Sequence, residues 1–241
     1  MNAIGVIPAR WASRRFEGKV LAEIGKKTVI QYVWETAKES KLLDDLIVAA
    51  DNEKVVDIVK KFGGKVCYTS PDQPSGTDRI AEVVNPIDVK IVVNIQGDEP
   101  MVKGIMIDNL IRALLEDEEA QMATLVKRIE DSKEISNPNI VKVVVDKNGY
   151  ALYFSRSPIP YIREKSDSFE FYKHIGMYAY TKDFLFTYTN LPSSKLEHAE
   201  KLEQLRALEH GFKIKTVETE FDTIGIDTPE DLERLRDILG K

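Results

Sequence analysis

The chain has 241 residues, 43% of them hydrophobic and 31% charged, with 34 Lys plus Arg against 40 Asp plus Glu for a formal charge of -6. That composition excludes a disordered or fibrous chain, and the acidic balance argues against a general nucleic-acid or membrane-surface binder, so any polyanion must be met by a local cluster of cations. Cys67 is the single cysteine and the three histidines are scattered, which leaves no intrachain disulfide and no zinc spacing and fits a reducing cytoplasm.

At ~150 residues per domain the length predicts one domain over 1–241. The first apolar stretch, Ala3 to Ile7, meets Pro8 and Arg10 too early to span ~30 Å of hydrocarbon, so neither membrane insertion nor a cleaved leader is expected. Strands are predicted over Asn2 to Ile7, Leu46 to Ala50, Lys65 to Thr69 and Lys90 to Ile95, with helices over Thr28 to Ser40, Asn52 to Phe62 and Gly76 to Asn85. Runs such as Ile91-Val92-Val93-Asn94-Ile95 are nearly continuous, the pattern of strands covered on both faces. The fold class is therefore α/β, a Rossmann-like, mostly parallel sheet with helices on both faces.

The pattern continues with a helix over Lys103 to Glu118, a strand over Gln121 to Ile129, and strands near Lys142 to Asp146 and Ala151 to Ser155 joined through Asn148-Gly149 as a hairpin. Residues 155–200 are rich in proline, aromatics and mixed charge, include a strand-like run at Ile175 to Thr181, and read as a smaller inserted antiparallel lobe. A helix from about Leu202 to Gly211, a strand from Lys213 to Val217 and a last helix follow. Thr228-Pro229-Glu230-Asp231 gives that last helix a cap, a proline at its first position and an acid three residues after the cap.

About 18 residues separate the first strand from the first helix, and ten of them, Arg10 to Lys19, hold four cations. At the carboxyl end of the first strand such a loop reads as a phosphate cradle; away from a strand end it would read as a solvated basic loop. Neither standard phosphate motif is present, since Val20 follows Gly18-Lys19 and no G-x-G-x-x-G follows a strand. Asp98 ends Asn94-Ile95-Gln96-Gly97-Asp98, where it is either a turn residue or a carboxylate for Mg²⁺, a cation that takes one or two carboxylates and completes its shell with phosphate oxygens and water. Asp227 is either a turn residue before the last helix or a second carboxylate brought to Asp98. Ser75-Gly76-Thr77-Asp78-Arg79 opens a helix and reads as a cap or as a ribose or phosphate contact. Arg156, Lys173, His174, Tyr178, Glu203 and Gln204 mix cations with neutral hydrogen-bonding groups, a set suited to a carboxylated polyol, although His174 by itself reads equally as a packed histidine.

Pro8-Ala9-Arg10 with Gly18-Lys19, Ser75 to Arg79, Gln96-Gly97-Asp98-Glu99-Pro100, Tyr153-Phe154-Ser155-Arg156, His174-Ile175-Gly176, Leu202-Glu203-Gln204-Leu205-Arg206 and Asp227 to Asp231 together resemble, in order, the motifs of the 3-deoxy-manno-octulosonate cytidylyltransferases. The resemblance implies a nucleotide-diphospho-sugar transferase fold and an enzyme that joins CTP to the acidic sugar Kdo, giving CMP-Kdo and pyrophosphate for lipopolysaccharide biosynthesis. It also implies Mg²⁺ as cofactor, a homodimer, and sugar binding and dimerisation by the 155–200 lobe. Carried over by position, Ala9, Arg10, Arg15, Lys19, Ser75 and Arg79 would bind the nucleotide, and Asp98 and Asp227 the metal. Gln96, Arg156, His174, Tyr178, Glu203 and Gln204 would bind the sugar, and Arg10, Lys19, Asp98 and Asp227 would be catalytic. Glu17 and Val20 stand where the family often has prolines, which predicts a less restrained loop. A CMP-sialic acid synthetase-like enzyme, a metal-dependent glycosyltransferase and a nucleotide-sensing module are the alternatives; Asp98 is followed by Glu99-Pro100 and not by the Asp-x-Asp pair of the glycosyltransferases.

Overall fold

The computed structural model describes residues 1–12, 16–164 and 169–240. Its elements in chain order are β1 (Ala3–Ala9), β2 (Glu23–Ile24), β3 (Lys27–Thr28), α1 (Val29–Ala37), β4 (Asp45–Ala50), α2 (Glu53–Lys61), β5 (Val66–Tyr68), α3 (Gly76–Val84), β6 (Ile91–Asn94) and α4 (Gly104–Glu116). They continue with β7 (Met122–Arg128), α5 (Lys133–Ser136), β8 (Lys142–Val145), β9 (Ala151–Ser155), β10 (Tyr172–Thr181), α6 (Lys182–Thr189), α7 (Lys195–Glu200), α8 (Leu205–Glu209), β11 (Lys215–Glu218) and α9 (Pro229–Leu239).

The main sheet runs β11-β7-β10-β6-β1-β4-β5, with β8 and β9 attached through β10. β1 is parallel to β4 and to β6 on its two sides, so the chain first winds outward through β5 and then crosses back. The crevice at the carboxyl ends of β1 and β6 is therefore the switch point where open α/β sheets bind ligands. Alternate residues of β1 feed two cores: Ala3 and Ile7 pack with Val33 and Trp34 of α1, Val59 of α2 and Leu110 of α4, while Ile4 and Val6 pack with Ile80 of α3, Phe184 of α6 and Leu205 of α8. Each such fully buried Val or Ile contributes roughly 1.5–3 kcal/mol. This double coverage is the reason the β6 run is apolar from Ile91 to Val93, with polar Asn94 only at its carboxyl end beside the cleft. Among the described residues no helix is long and apolar enough to cross a membrane.

Three local expectations are refined. The long connection after β1 is partly structured: Lys19–Leu21 forms a 3₁₀ turn, and β2 and β3 pair as a short hairpin ahead of α1. The helix expected from Leu202 begins at Leu205, because Ser194 and Glu197 form a capping box that starts α7 and Lys201, in the left-handed region at φ 55°, ends it. The stretch 155–200 gives β10 to the middle of the main sheet, antiparallel to both β6 and β7, so in the sheet it is a constituent and not an appendage.

Candidate functional site

A cleft of about 950 Å³ opens at the switch point, lined by Pro8, Arg10, Ala12, Glu17, Lys19, Val20, Pro74, Gly76, Gln96 and Asp98. β1 delivers the first two and the end of β6 the last two. The basic loop is held at its base: Gly18 N–H donates to Trp11 O at 3.0 Å, Trp11 N–H to Asp51 Oδ1 at 2.8 Å, and Trp11 Nε1–H to Glu17 Oε1 at 2.8 Å. Gly18 has φ 69° with the Trp11 ring packed on it, so a side chain there would be strained and would crowd the ring. Glu17 and Val20 thus have roles of their own, an acceptor for the indole and a buried apolar anchor. Arg10 is exposed and donates to Gln73 O at 2.9 Å across the cleft rim. Ala9, at the end of β1, is buried beneath it. Arg15, expected on the nucleotide, lies outside the described residues.

Asp98 and Asp227, 129 positions apart in sequence, meet at one ammonium. Lys19 Nζ pairs with Asp98 Oδ2 and lies 3.3 Å from Asp227 Oδ1. Burial works to lower the Lys19 pKa, but Asp98 and then Asp227 outweigh it, and the net shift is upward. Ile226 N–H donates to Asp98 O at 3.0 Å and fixes the backbone next to Asp227. Gly97 permits the close approach that aims Asp98, since a Cβ there would come within 2.7 Å of Pro8 O. Beneath the pair sits Glu99, whose carboxyl is pushed up to about 7 by burial and then by Asp98. Its Oε2 has no partner among the described residues.

A cation held between two carboxylates is the electrostatic setting a divalent ion requires. Two carboxylates converging on one cation are a donor set that suits Mg²⁺, which needs few protein ligands beside phosphate.

Gly76 and Gln96 also line a second cavity of about 140 Å³, with Thr77, Asn94, Tyr178, Tyr180, Tyr188, Glu203 and Gln204. Antiparallel pairing of β10 with β6 sets Tyr178 opposite Asn94, and the two-residue spacing puts Tyr178 and Tyr180 on one face. Gln96 Nε2 donates to Gly176 O at 3.2 Å, and Thr77 Oγ1 donates to Glu203 Oε1 at 2.9 Å. Burial pushes the Tyr178, Tyr180 and Tyr188 phenols upward, so the three stay uncharged, and burial also shifts the Glu203 carboxyl upward. Gln204 is 4% exposed and its Nε2 has no partner among the described residues. An unmade bond of this kind costs about 1–3 kcal/mol unless a ligand completes it.

His174 lies behind this wall, with the Tyr178 ring centroid 5.4 Å away and the edge of Phe154 at 5.1 Å. Burial pushes it down to about 3, which keeps it neutral. Thr124 Oγ1 is 2.9 Å from His174 Nε2 and donates to Met177 O at 2.8 Å, so Nε2 carries the imidazole hydrogen.

Two expected ligand contacts are placed elsewhere. Arg79 is fully buried, donating to Asp51 Oδ2 at 3.0 Å, to Thr69 Oγ1 at 2.5 Å and to Ser70 O at 3.0 Å. Asp51 also accepts from the Trp11 backbone, so Arg79 serves the phosphate loop by bracing it and is not itself presented to the cleft. Arg156 donates from Nε to Glu200 O at 2.7 Å and from Nη1 to Pro138 O at 2.9 Å, and it lines neither cavity. Ser75 is the cap of α3, accepting from Asp78 N–H at 3.1 Å. Thr77 and Glu99 lie inside quoted motifs without a role of their own there, and Asp51, Asn94, Tyr180 and Tyr188 have none; of these four, only Tyr180 carries a usable signal, its spacing from Tyr178.

A sequence model of the cytidylyltransferase family matches residues 4–215. The 3-deoxy-manno-octulosonate cytidylyltransferase of Thermodesulfovibrio yellowstonii is 53% identical over 97% of this chain and 96% of its own, and that of Solibacter usitatus is 51% identical over 96% and 92%. The chain belongs to the 3-deoxy-manno-octulosonate cytidylyltransferase family. A solved structure of a CMP:2-keto-3-deoxy-manno-octonic acid synthetase complexed with CTP superposes with a TM-score of 0.94 at 42% identity, covering 99% of this chain and 98% of that one. The 4-diphosphocytidyl-2C-methyl-D-erythritol synthase of Anaerococcus prevotii, at 17% identity and a TM-score of 0.63, shares the fold. This 3-deoxy-manno-octulosonate cytidylyltransferase family member thus has the fold class expected from its sequence.

Proposed function

We propose that the protein transfers a cytidylyl group from CTP to 3-deoxy-manno-octulosonate, releasing pyrophosphate and CMP-Kdo, with Asp98 and Asp227 holding Mg²⁺. The observation that carries this is a pair of joined cavities of opposite character. The larger is lined by Arg10, Lys19 and Asp98, with Asp227 paired to the same lysine, and the smaller has mostly uncharged hydrogen-bonding walls and an unpaired buried amide, with Gly76 and Gln96 common to both. A cytoplasmic homodimer serving lipopolysaccharide biosynthesis is the setting that family membership suggests.

The sugar's anomeric oxygen attacks the α-phosphorus, a new O–P bond forms, and the bond to the pyrophosphate oxygen breaks. Bringing an acidic sugar to a triphosphate sets like charges together, so the cleft must neutralise the phosphates first. Arg10 and Lys19, both lining the cleft, provide that charge. When bound, Mg²⁺ supplies Lewis-acid stabilisation of the phosphoryl oxygens. Gln96, at the junction, and Gln204 and Tyr178, in the smaller cavity, orient the sugar hydroxyls. His174, neutral and with Nε2–H directed at Thr124, is a poor proton acceptor at neutral pH, and no side chain is assigned as an obligatory base.

Pyrophosphate release should be measured with each of the four NTPs against Kdo and sialic acid, with and without Mg²⁺. The expected result is release with CTP and Kdo in the presence of Mg²⁺. Release with sialic acid in place of Kdo would support the rival sugar, and CTP binding without release would support a binding module.

A further inference from the structure

We propose that Lys173 is a positioning residue for the Asp98–Asp227 pair, tying the 219–227 segment to β10 so that Asp227 stands against Asp98. The inference rests on the metal reading above and deepens it. Alternation along β10 sends His174 toward Phe154 and Tyr178, and sends Lys173, like Ile175, toward the α4 face of the sheet. There Lys173, 7% exposed, donates from Nζ to both oxygens of Glu134 at 3.0 and 2.9 Å and to Asp222 Oδ2 at 2.9 Å. Its neighbour across the β7 pairing, Lys127, donates to Glu220 O at 2.7 Å and lies 3.9 Å from the same Asp222 oxygen.

From Asp222 the chain leads to the metal pair past two further contacts. Thr223 lies beside the buried Glu99, and Ile226 N–H donates to Asp98 O at 3.0 Å. The Lys173–Asp222 contact is the upstream anchor of this run. Asp98 and Asp227 carry like charge, and Lys19 is one side-chain cation set against both. Lys19 is also a cation assigned to the triphosphate. An Asp227 held through its own backbone keeps its place when Lys19 turns to the phosphates, and the buried Lys173, reaching out to the exposed Asp222, supports that backbone from outside the cleft.

The test is Mn²⁺ binding by the full-length protein in the presence of CTP, read by electron paramagnetic resonance, alongside thermal stability. Lys173→Met and Asp222→Asn should each weaken Mn²⁺ binding by about tenfold, the scale of losing a group that orients a metal ligand. Lys173→Arg should restore most of it. Glu134→Gln should lower stability and leave Mn²⁺ affinity near wild type, because Glu134 shares the lysine but lies outside the 219–227 segment. Should Lys173→Met fold poorly, Asp222→Asn carries the test, since Lys173 keeps Glu134. Wild-type Mn²⁺ affinity in Asp222→Asn, or an equal loss in Glu134→Gln, overturns the positioning role. Absence of Mn²⁺ binding by the wild-type protein with CTP overturns the metal assignment itself, and the positioning role with it.

Discussion

At its charged end the cleft joins Lys19 with Asp98 and Asp227, whereas its more neutral end is walled by Tyr178, Tyr180, Tyr188 and Gln204 with Glu203 among them. The charged end is assembled from segments far apart in sequence and partly open to solvent, with Asp98 24% and Asp227 52% exposed. The neutral end also draws on distant segments, the start of α3, the end of β6, β10, α6 and the 203–204 turn, but the paired strands β6 and β10 form its floor and Asn94, Tyr180, Tyr188 and Gln204 are buried. Charge acting on a phosphorus atom tolerates water and needs a mobile cation; discrimination among hydroxyls needs fixed dipoles whose unmet bonds are costly. Substitutions at the first end should therefore show in turnover, and those at the second in sugar affinity.

The largest effect is expected for Asp98→Asn and Asp227→Asn, each lowering turnover by about a thousandfold, or ~4 kcal/mol, while the melting temperature moves little because both side chains are partly exposed. Full turnover at ordinary Mg²⁺ in a pyrophosphate-release assay would break the contrast at once. Arg79→Met should do the opposite. Removing a guanidinium that is 0% exposed from an Asp51 side chain that is 8% exposed leaves a buried carboxylate unpaired, and denaturant unfolding should show a loss of about 3 kcal/mol or more. Loss of CTP affinity without loss of stability would return Arg79 to the nucleotide.

Gln204→Leu sharpens the neutral end. Deleting the unpaired amide should leave stability unchanged or slightly higher, yet raise the KM for the sugar by about tenfold, worth ~1.4 kcal/mol, with kcat less affected. An unchanged sugar KM would sever the small cavity from the substrate.

The smallest effect is a pair of opposed pH slopes in the metal-free protein. Glu99, raised to about 7, binds its proton more tightly folded than unfolded, so its contribution is present below the ordinary carboxyl value of 4.5 and is lost as pH rises toward 7. His174, lowered to about 3, favours the folded state above the ordinary imidazole value of 6.5 and loses that contribution as pH falls. Between those ordinary values the two slopes oppose. Glu99→Gln should make stability rise with pH relative to wild type, and His174→Gln should make it fall, each by roughly 1 kcal/mol per pH unit in thermal or chemical unfolding.

The phosphate end was legible because its signals are local: a cation-rich loop after an apolar strand, and an acid following a glycine at a strand tip. The sugar end was legible in part. Glu203 and Gln204 lie in a quoted motif and Tyr178 was read from the mix of residue types around it; all three line the small cavity, whereas Arg156 belongs to a motif of the same set and is turned to Glu200 and Pro138. Arg79 misled for the same reason: a cation at the start of a helix looks the same in sequence whether it faces a ligand or a buried aspartate 28 residues away. Asn94 and Glu99 were hidden because their surroundings come from β10 and the 219–227 segment, which no local pattern places beside them.

By itself the sequence determined the alternation of apolar strands with amphipathic helices, the caps of α3 and α9, and the chemical types gathered at the strand tips, because each depends on neighbours within a few residues. The tertiary structure decided that β10 enters antiparallel between β6 and β7, that Asp227 reaches Asp98 through Lys19, and that the buried Lys173 and Arg79 are each paired with carboxylates from distant segments. Those outcomes depend on long-range strand pairing and on the desolvation of charges, and both are fixed only when distant segments share one dry interior.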